Sequence, residues 1–183
     1  MNILIVGVGG QGTLLAAKVL GEYAGLTGNE VKLSEVHGMS QRGGSVVTHV
    51  RYGTQIHTPV IWEGGADVVL AFEPLEALRY AHYCAPNGCV ITNVTPIPPM
   101  AIATGVAQYP DVDAALPQAK RVRATDMALQ AGSIRCVNMV MLGALTKLMG
   151  LDYNAMQQAL QNTVRKAVPL NLEALRLGYE NAA

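Results

Sequence analysis

Two short stretches of the sequence combine residue types that could bind a ligand. The first is GVGGQG at residues 7–12, which fits the spacing G-x-G-x-x-G directly after an apolar run. Glycines at this spacing allow backbone N–H groups to approach an anion at the start of a helix. The same spacing also suits a tight strand-to-helix turn that holds no ligand. The candidate residues of this glycine loop are Gly7, Gly9, Gly10, Gln11 and Gly12.

The second stretch, SEVHGMSQRGGS at residues 34–45, places polar side chains beside two glycines in a chain that is 50% hydrophobic. Such a run does not suit a core, so we expect a solvent-facing loop or part of a site. Arg42 offers a planar fork for a phosphate or carboxylate, and such a charge-assisted bond contributes about 1.5–3 kcal/mol when shielded from water. The alternative is that Arg42 pairs with a surface acid and the glycines only shape the loop. The candidate residues of this Arg42 segment, residues 37–44, are His37, Ser40, Gln41, Arg42, Gly43 and Gly44.

Alternating apolar runs and helical patterns must position these two stretches. NILIVG predicts a strand buried on both faces, and the helical spacing that follows it ends near Gly28. EVKLSEV predicts a second strand, and SVVTHVRYG with QIHTPVI predicts an antiparallel hairpin. ADVVLAF, GCVITNV and RVRAT predict further strands, and helices follow from about Asp126, with Asp152 as a candidate N-cap. The expected fold is α/β, a single domain over residues 1–183 with three α/β/α layers and a Rossmann-like, mostly parallel sheet that includes an antiparallel hairpin.

In such a sheet the glycine loop and the Arg42 segment should face each other. The second strand ends at the same edge as the first, so both stretches would border one crevice. An NAD-binding dehydrogenase is an alternative interpretation, because Glu35 stands about where an acid would bind the ribose hydroxyls. A third interpretation is an interaction module whose glycine loop holds no ligand.

Composition limits the classes of protein and site. Lys plus Arg balance Asp plus Glu at 13 each, so no overall field attracts nucleic acid or an acidic membrane. The most apolar helix, residues 134–149, is interrupted by polar side chains and is too short to span a bilayer, so we expect a cytoplasmic protein. Cys84, Cys89 and Cys136 form no CxxC pair, which argues against a disulfide framework and against a zinc or iron–sulfur site. The surplus of apolar residues suggests a buried interface with a partner.

Taken together, these stretches resemble a known family. NILIVGVGGQG, SEVHGMSQRGGSVVTHVRYG, ADVVLAFEPLEALRY and NMVMLGAL are similar to the gamma-type subunit or domain of 2-oxoacid:ferredoxin oxidoreductases, over nearly the whole chain. The wording HGMSQRGG looks like the beta-subunit branch of the indolepyruvate:ferredoxin oxidoreductases. Pyruvate-type relatives tend to have a Tyr-Gly-Pro-Glu-like run before the Arg-Gly-Gly, so the difference at residues 37–41 points toward arylpyruvate substrates.

The resemblance implies a reaction, cofactors and partners. An arylpyruvate, coenzyme A and oxidised ferredoxin would give aryl-acetyl-CoA, carbon dioxide and reduced ferredoxin, and a larger alpha subunit would hold the thiamine diphosphate and the 4Fe–4S clusters. This chain, without a thiamine-type GDG run or cluster cysteines, would hold none of these cofactors and would be inactive alone. It would complete the partner's active site through the glycine loop and the Arg42 segment. Asn138, a polar residue in an apolar helix, is a further candidate, with internal hydrogen bonding as the alternative.

Overall fold

The computed structural model describes residues 1–38 and 43–183, which build an α/β fold around a six-stranded sheet. Met39, Ser40, Gln41 and Arg42 lie outside the described residues. The strands are β1 (Asn2–Val8), β2 (Glu30–His37), β3 (Ser45–Gly53), β4 (Ala66–Ala71), β5 (Cys84–Asn93) and β6 (Lys120–Val122). The helices of the described residues are α1 (Thr13–Leu26), α2 (Pro74–Tyr80), α3 (Met100–Ala103), α4 (Val112–Ala115), α5 (Ala124–Ala131), α6 (Val137–Leu148), α7 (Tyr153–Thr163) and α8 (Val168–Asn181), with 3₁₀ turns at Ala81–Tyr83 and Ile134–Cys136.

The strand order is β2-β3-β1-β4-β5-β6. Strands β1, β4, β5 and β6 are parallel, and β3 runs antiparallel to both of its neighbours, β1 and β2. The prediction of a mostly parallel α/β sheet with an antiparallel hairpin is therefore confirmed. Because successive side chains of β1 are buried on both faces of the sheet, this strand is a continuous apolar run without polar alternation.

The hairpin itself is built differently from the prediction. β3 pairs with β2, and residues 55–61, predicted to pair with β3, form no strand. Pro59 removes one of the N–H donors that this stretch would need. The stretch instead lies against β3, where the Ile61 N–H donates to His49 Nδ1 at 3.1 Å and Arg51 donates to the carbonyls of Thr58 and Val60.

The start of β5 also differs from the prediction. The strand predicted from Gly88 onward begins at Cys84, so Pro86 and Asn87 lie inside it. The ladder with β4 shifts register here, between Ala66 and Val68, so the extra residues form an irregularity at the strand's beginning.

The two faces of the sheet carry layers of unequal thickness. One face, called here the helical face, is covered by α1, α5, α6, α7 and α8, which enclose the larger apolar core. The other, called here the thin face, is covered by α2, α4 and residues 54–65 over a smaller apolar cluster. The helical layer is close-packed: a Cβ on Gly178 of α8 would lie 2.0 Å from the Val140 carbonyl oxygen of α6.

No helix in the part of the chain that the structure describes has both the length and the apolar character needed to cross a bilayer.

Candidate functional site

The glycine loop connects β1 to α1 and depends on its glycines. Gly10 and Gly12 have φ angles of 100° and 78°, a left-handed conformation that side chains rarely adopt. Gly12 also leaves room for Asn138, since a Cβ there would lie 2.6 Å from the Asn138 Nδ2. No described side chain caps the start of α1, and no acid lies in its first turn. The first amides of a helix have no intrahelical partner, so this end of α1 suits an anion.

Gln11 holds the loop to the sheet. Its Oε1 accepts the Val8 N–H at 2.8 Å, and its Nε2 donates to the Phe72 carbonyl at 2.9 Å. A Cβ on Gly7 would lie 2.7 Å from the same Oε1, which explains the glycine at that position. Gln11 therefore links the end of β1 to the residue after β4, and its amide is largely engaged within the fold.

Asn138 also makes internal hydrogen bonds. Its side chain is 3% exposed, its Nδ2 donates to the Gly12 carbonyl at 3.3 Å, and its Oδ1 accepts the Met139 N–H at 2.9 Å. The structure therefore places Asn138 directly beneath the glycine loop, where it joins α6 to the start of α1.

The described part of the Arg42 segment lies beside the glycine loop. The Gly9 N–H donates to the Gly44 carbonyl at 2.8 Å, and Val8 pairs with Ser45 at the start of β3. Gly43 is left-handed, with a φ of 72°. The two stretches therefore meet at one edge, called here the carboxyl edge because β1, β4 and β5 end there. His37 ends β2 opposite Val46 at this edge, and Ser40, Gln41 and Arg42 lie outside the described residues.

β1 and β2 both run antiparallel to β3 and end where β3 begins, so the prediction that the second strand ends at the same edge as the first is confirmed. β3 lies between these two strands, and the Arg42 segment reaches the glycine loop because β3 begins there. Glu35 pairs with Thr48 of β3 and accepts its hydroxyl at 3.3 Å. At about 4.8 Å per strand spacing, Glu35 stands two strands away from β1, whereas the acid of a dinucleotide site lies on the adjacent strand. The structure does not support the NAD-binding alternative.

A cavity of about 220 Å³ opens on the other side of the glycine loop. Its lining includes Gly10, Asn93 at the end of β5, Thr125 of α5, and Arg135 in the turn before α6. Asn93 is 2% exposed, and its Nδ2 donates to the Phe72 carbonyl and to the Thr125 hydroxyl. Its buried Oδ1 has no hydrogen-bond partner among the described residues. Such an acceptor costs about 1–3 kcal/mol until a donor reaches it.

Sequence patterns did not identify Asn93 or Arg135 as site residues. In the sequence, Arg135 is only one of the polar side chains that interrupt the apolar stretch at residues 134–149, and nothing in its neighbours indicates that the turn before α6 reaches the carboxyl edge. Asn93 carried a weak signal, since it is a polar residue at the end of a buried strand, the position where open α/β sheets bind ligands.

Two buried carboxylates of α2 also reach the carboxyl edge and were missed. Glu73, the N-cap of α2, is 1% exposed and accepts the Tyr109 hydroxyl at 2.5 Å and the Ile97 N–H at 3.1 Å. Glu76 is 2% exposed and accepts the Ser45 hydroxyl at 2.6 Å. Burial raises the pKa of both Glu76 and Tyr109 above their ordinary values. In the sequence, FEPLEALRY indicates only a helix that begins at a proline.

Comparison with known proteins places this arrangement in context. A family model described as pyruvate ferredoxin/flavodoxin oxidoreductase matches residues 2–181. Indolepyruvate oxidoreductase subunit IorB of Pyrococcus horikoshii is 42% identical over 196 residues, which cover 99% of this chain and 95% of that one. The gamma subunit of a keto/oxoacid ferredoxin oxidoreductase from Geobacter sulfurreducens has a TM-score of 0.74 and 26% identity, over 98% of this chain and 96% of that one.

A 2-oxoglutarate:ferredoxin oxidoreductase from Magnetococcus marinus shares the fold at 20% identity, with a TM-score of 0.73. The match covers 98% of this chain and 30% of that longer one. In that protein, the same fold is one part of a larger polypeptide.

Proposed function

The chain belongs to the pyruvate ferredoxin/flavodoxin oxidoreductase family, and on this premise we propose how it takes part in the family's reaction. It is a subunit of an indolepyruvate ferredoxin oxidoreductase, as its identity to IorB indicates. In the reaction of such an enzyme, cleavage of the bond between the carboxylate and the keto carbon releases carbon dioxide and an electron pair. Two ferredoxins accept one electron each, while the acyl group joins the sulfur of coenzyme A and the thiol proton is released.

The described residues of this chain do not fit the redox cofactors of the family. A 4Fe–4S cluster is held by four thiolates, whereas the chain has three cysteines and burial raises the pKa of each thiol. Residues 1–38 and 43–183 also contain no cluster of His, Cys, Asp or Glu side chains that could hold a metal ion. We therefore assign thiamine diphosphate and the clusters to a larger alpha subunit, through which the complex meets ferredoxin.

The contribution of this chain is a wall of the active site at the carboxyl edge. We assign the glycine loop and residues 40–44 of the Arg42 segment to that wall, and we assign binding of the arylpyruvate carboxylate to Arg42. Support comes from the bond between the Gly9 N–H and the Gly44 carbonyl, which joins the two stretches. A guanidinium suits a carboxylate because two parallel N–H groups match its two oxygens.

The observation that carries a role in binding coenzyme A is the 220 Å³ cavity beside the glycine loop. Two of its lining residues suit a phosphate-bearing ligand with N–H or O–H donors: Arg135, with its guanidinium, and Asn93, whose Oδ1 has no partner among the described residues. Gly10 and Gln11 of the glycine loop, which leads into the start of α1, also line the cavity. Coenzyme A is the substrate of this reaction that carries both kinds of group. We therefore assign this cavity to part of coenzyme A.

The test uses the complex reconstituted with its alpha subunit and compares Arg135→Ala with Arg42→Ala. Arg135→Ala is expected to raise the KM for coenzyme A about tenfold, which corresponds to about 1.4 kcal/mol, and to leave the KM for the arylpyruvate unchanged. Arg42→Ala is expected to raise the KM for the arylpyruvate instead. Arg165→Ala, an exposed arginine between α7 and α8, is the matched control and should change neither.

Two results would contradict these assignments. An unchanged KM for coenzyme A in Arg135→Ala would contradict the assignment of the cavity to coenzyme A. Substantial oxidoreductase activity of the purified chain without its partner would refute the division of labour between the two subunits.

A further inference from the structure

The short helix α2 carries two buried acids, and each one holds a different segment of the carboxyl edge. Glu73 accepts from Ile97 and Tyr109, and so holds the segment that follows β5. Glu76, one turn later, accepts from Ser45, the residue that follows Gly44. The two acids therefore hold the carboxyl edge on both sides of the glycine loop.

The contact at Glu76 continues into both candidate stretches. Ser45 donates from its hydroxyl to Glu76 Oε2 at 2.6 Å, and Gly44, its neighbour in the chain, accepts the Gly9 N–H at 2.8 Å. The Tyr80 hydroxyl lies 3.2 Å from the Ser45 hydroxyl. A continuous path of bonds thus runs from α2 through the end of the Arg42 segment to the glycine loop.

Fold stability alone does not account for a carboxylate at this position. The Glu76 side chain is 3% exposed, and its cationic partner, Arg79 at 3.0 Å, has a side chain that is 49% exposed. Burial and the neighbouring Glu73 both raise the pKa of Glu76, while Ser45 and Arg79 oppose this rise. A neutral side chain of similar shape would avoid the cost of desolvating a charge. A carboxylate, however, forms the stronger hydrogen bond with Ser45.

We propose that Glu76 is a positioning residue of the assembled enzyme: by fixing Ser45 it sets the position of Gly44, the last residue of the Arg42 segment, relative to the glycine loop. This inference rests on the proposed function, since it assumes that both stretches form a wall of the active site. Glu76 touches neither substrate nor cofactor in this account. It acts only through Ser45 and the bond between Gly44 and Gly9.

The first test exploits an isosteric pair at Ser45. Threonine keeps the hydroxyl and valine lacks it, while both are β-branched and suit a strand. In the reconstituted complex, Ser45→Thr is expected to keep kcat within about twofold of the wild type, and Ser45→Val to lower it about tenfold. Glu76→Met should match Ser45→Val, and the double variant should be no worse than either one, because both changes remove the same bond.

The second test measures, without catalysis, whether the bond from Ser45 to Glu76 holds the glycine loop; this bond is called here the anchor. In the full chain, Glu76→Met and Ser45→Val are expected to increase the hydrogen-exchange rate of the Gly9 amide about tenfold, with no loss of thermal stability in Glu76→Met. Glu180→Gln, an exposed acid at the end of α8, is the control and should change neither exchange nor kcat.

Three results would overturn the proposal. Unchanged Gly9 exchange would show that Glu76 does not hold the loop, and faster exchange with unchanged kcat would show that the anchor does not serve turnover. A fall of kcat in proportion to lost stability would leave Glu76 with a structural role alone. Failure of the proposed function would instead appear in the coenzyme A and arylpyruvate KM values, whereas the exchange measurement is independent of them.

Discussion

The helical face and the thin face of the sheet use different kinds of interaction. The helical face buries one continuous apolar core under five helices. The thin face is covered by the seven residues of α2, the four of α4 and a stretch without regular structure, yet His49, Glu73 and Glu76 are buried on or beside it. Burying apolar surface stabilises a fold, whereas burying ionisable groups opposes it. The difference indicates that the helical face supplies stability, while the thin face places polar groups at the carboxyl edge.

The largest expected effect is on the helical face, at the contact between α6 and α8. A Cβ on Gly178 would lie 2.0 Å from the Val140 carbonyl oxygen, so Gly178→Ala must separate the two helices. We expect the free energy of unfolding, measured by urea denaturation, to fall by about 3 kcal/mol or more. Gly25→Ala in α1 is the matched control. Nothing lies within 4 Å of its added Cβ, so this change should leave the free energy of unfolding unchanged or raise it by up to about 1 kcal/mol. Equal stability of the two variants would show that the helical layer is not close-packed.

The next effect is on the thin face, where a fall in pH should lower the free energy of unfolding through protonation of His49. The side chain is 5% exposed, its Nδ1 accepts the Ile61 N–H, and burial lowers its pKa below the ordinary 6.5. The folded state therefore binds the proton less readily than the unfolded chain. The stabilisation from neutral His49 is complete above pH 6.5 and is lost as the pH falls below it.

His49→Asn tests this, because an amide oxygen can replace Nδ1 as the acceptor without titrating. We expect the variant to be less stable than the wild type at pH 8, since it loses the ring that packs edge-on against Tyr83, and the difference to shrink toward pH 5. For each extra proton that the unfolded chain binds, the free energy of unfolding changes by about 1.4 kcal/mol per pH unit. If the difference in free energy of unfolding between the variant and the wild type stays constant with pH, protonation of His49 does not destabilise the thin face.

The same division of the molecule explains which features could be predicted from the sequence. The sequences of α1, α6, α7 and α8 have long stretches of helical apolar spacing, and the helices predicted there are confirmed. Asp152 is the N-cap of α7, as the sequence indicates. The stretch at residues 55–61 was predicted wrongly as a strand, because its alternation favours β structure while Pro59 and the bonds of Arg51 hold it in another conformation. Local sequence patterns predict helices and strands well. They do not predict hydrogen bonds of side chains to residues that are distant in the sequence.

The candidate site follows the same rule. The glycine loop carried a local signal, and its glycines are required by the conformation at Gly10 and by the space that Asn138 occupies. The links from Glu76 to Ser45 and from Asn93 to Thr125 join residues 31 and 32 positions apart. No spacing rule connects such pairs, because only the topology of β3, β4 and β5 brings them to one edge.

The smallest expected effect returns to the helical face, at the start of α7. Asp152 accepts the N–H groups of Asn154 and Ala155 at 2.8 and 3.1 Å, so Asp152→Ala should lower the free energy of unfolding by about 1 kcal/mol. Asp152→Asn keeps an acceptor at the cap and is the control, with little change expected. In the reconstituted complex, both variants should keep the wild-type kcat and KM values, because α7 contacts α1 and the other helices of its own layer. A change of the KM for coenzyme A in Asp152→Ala would show that the helical face is coupled to the carboxyl edge, since α1 both packs against α7 and begins at the glycine loop.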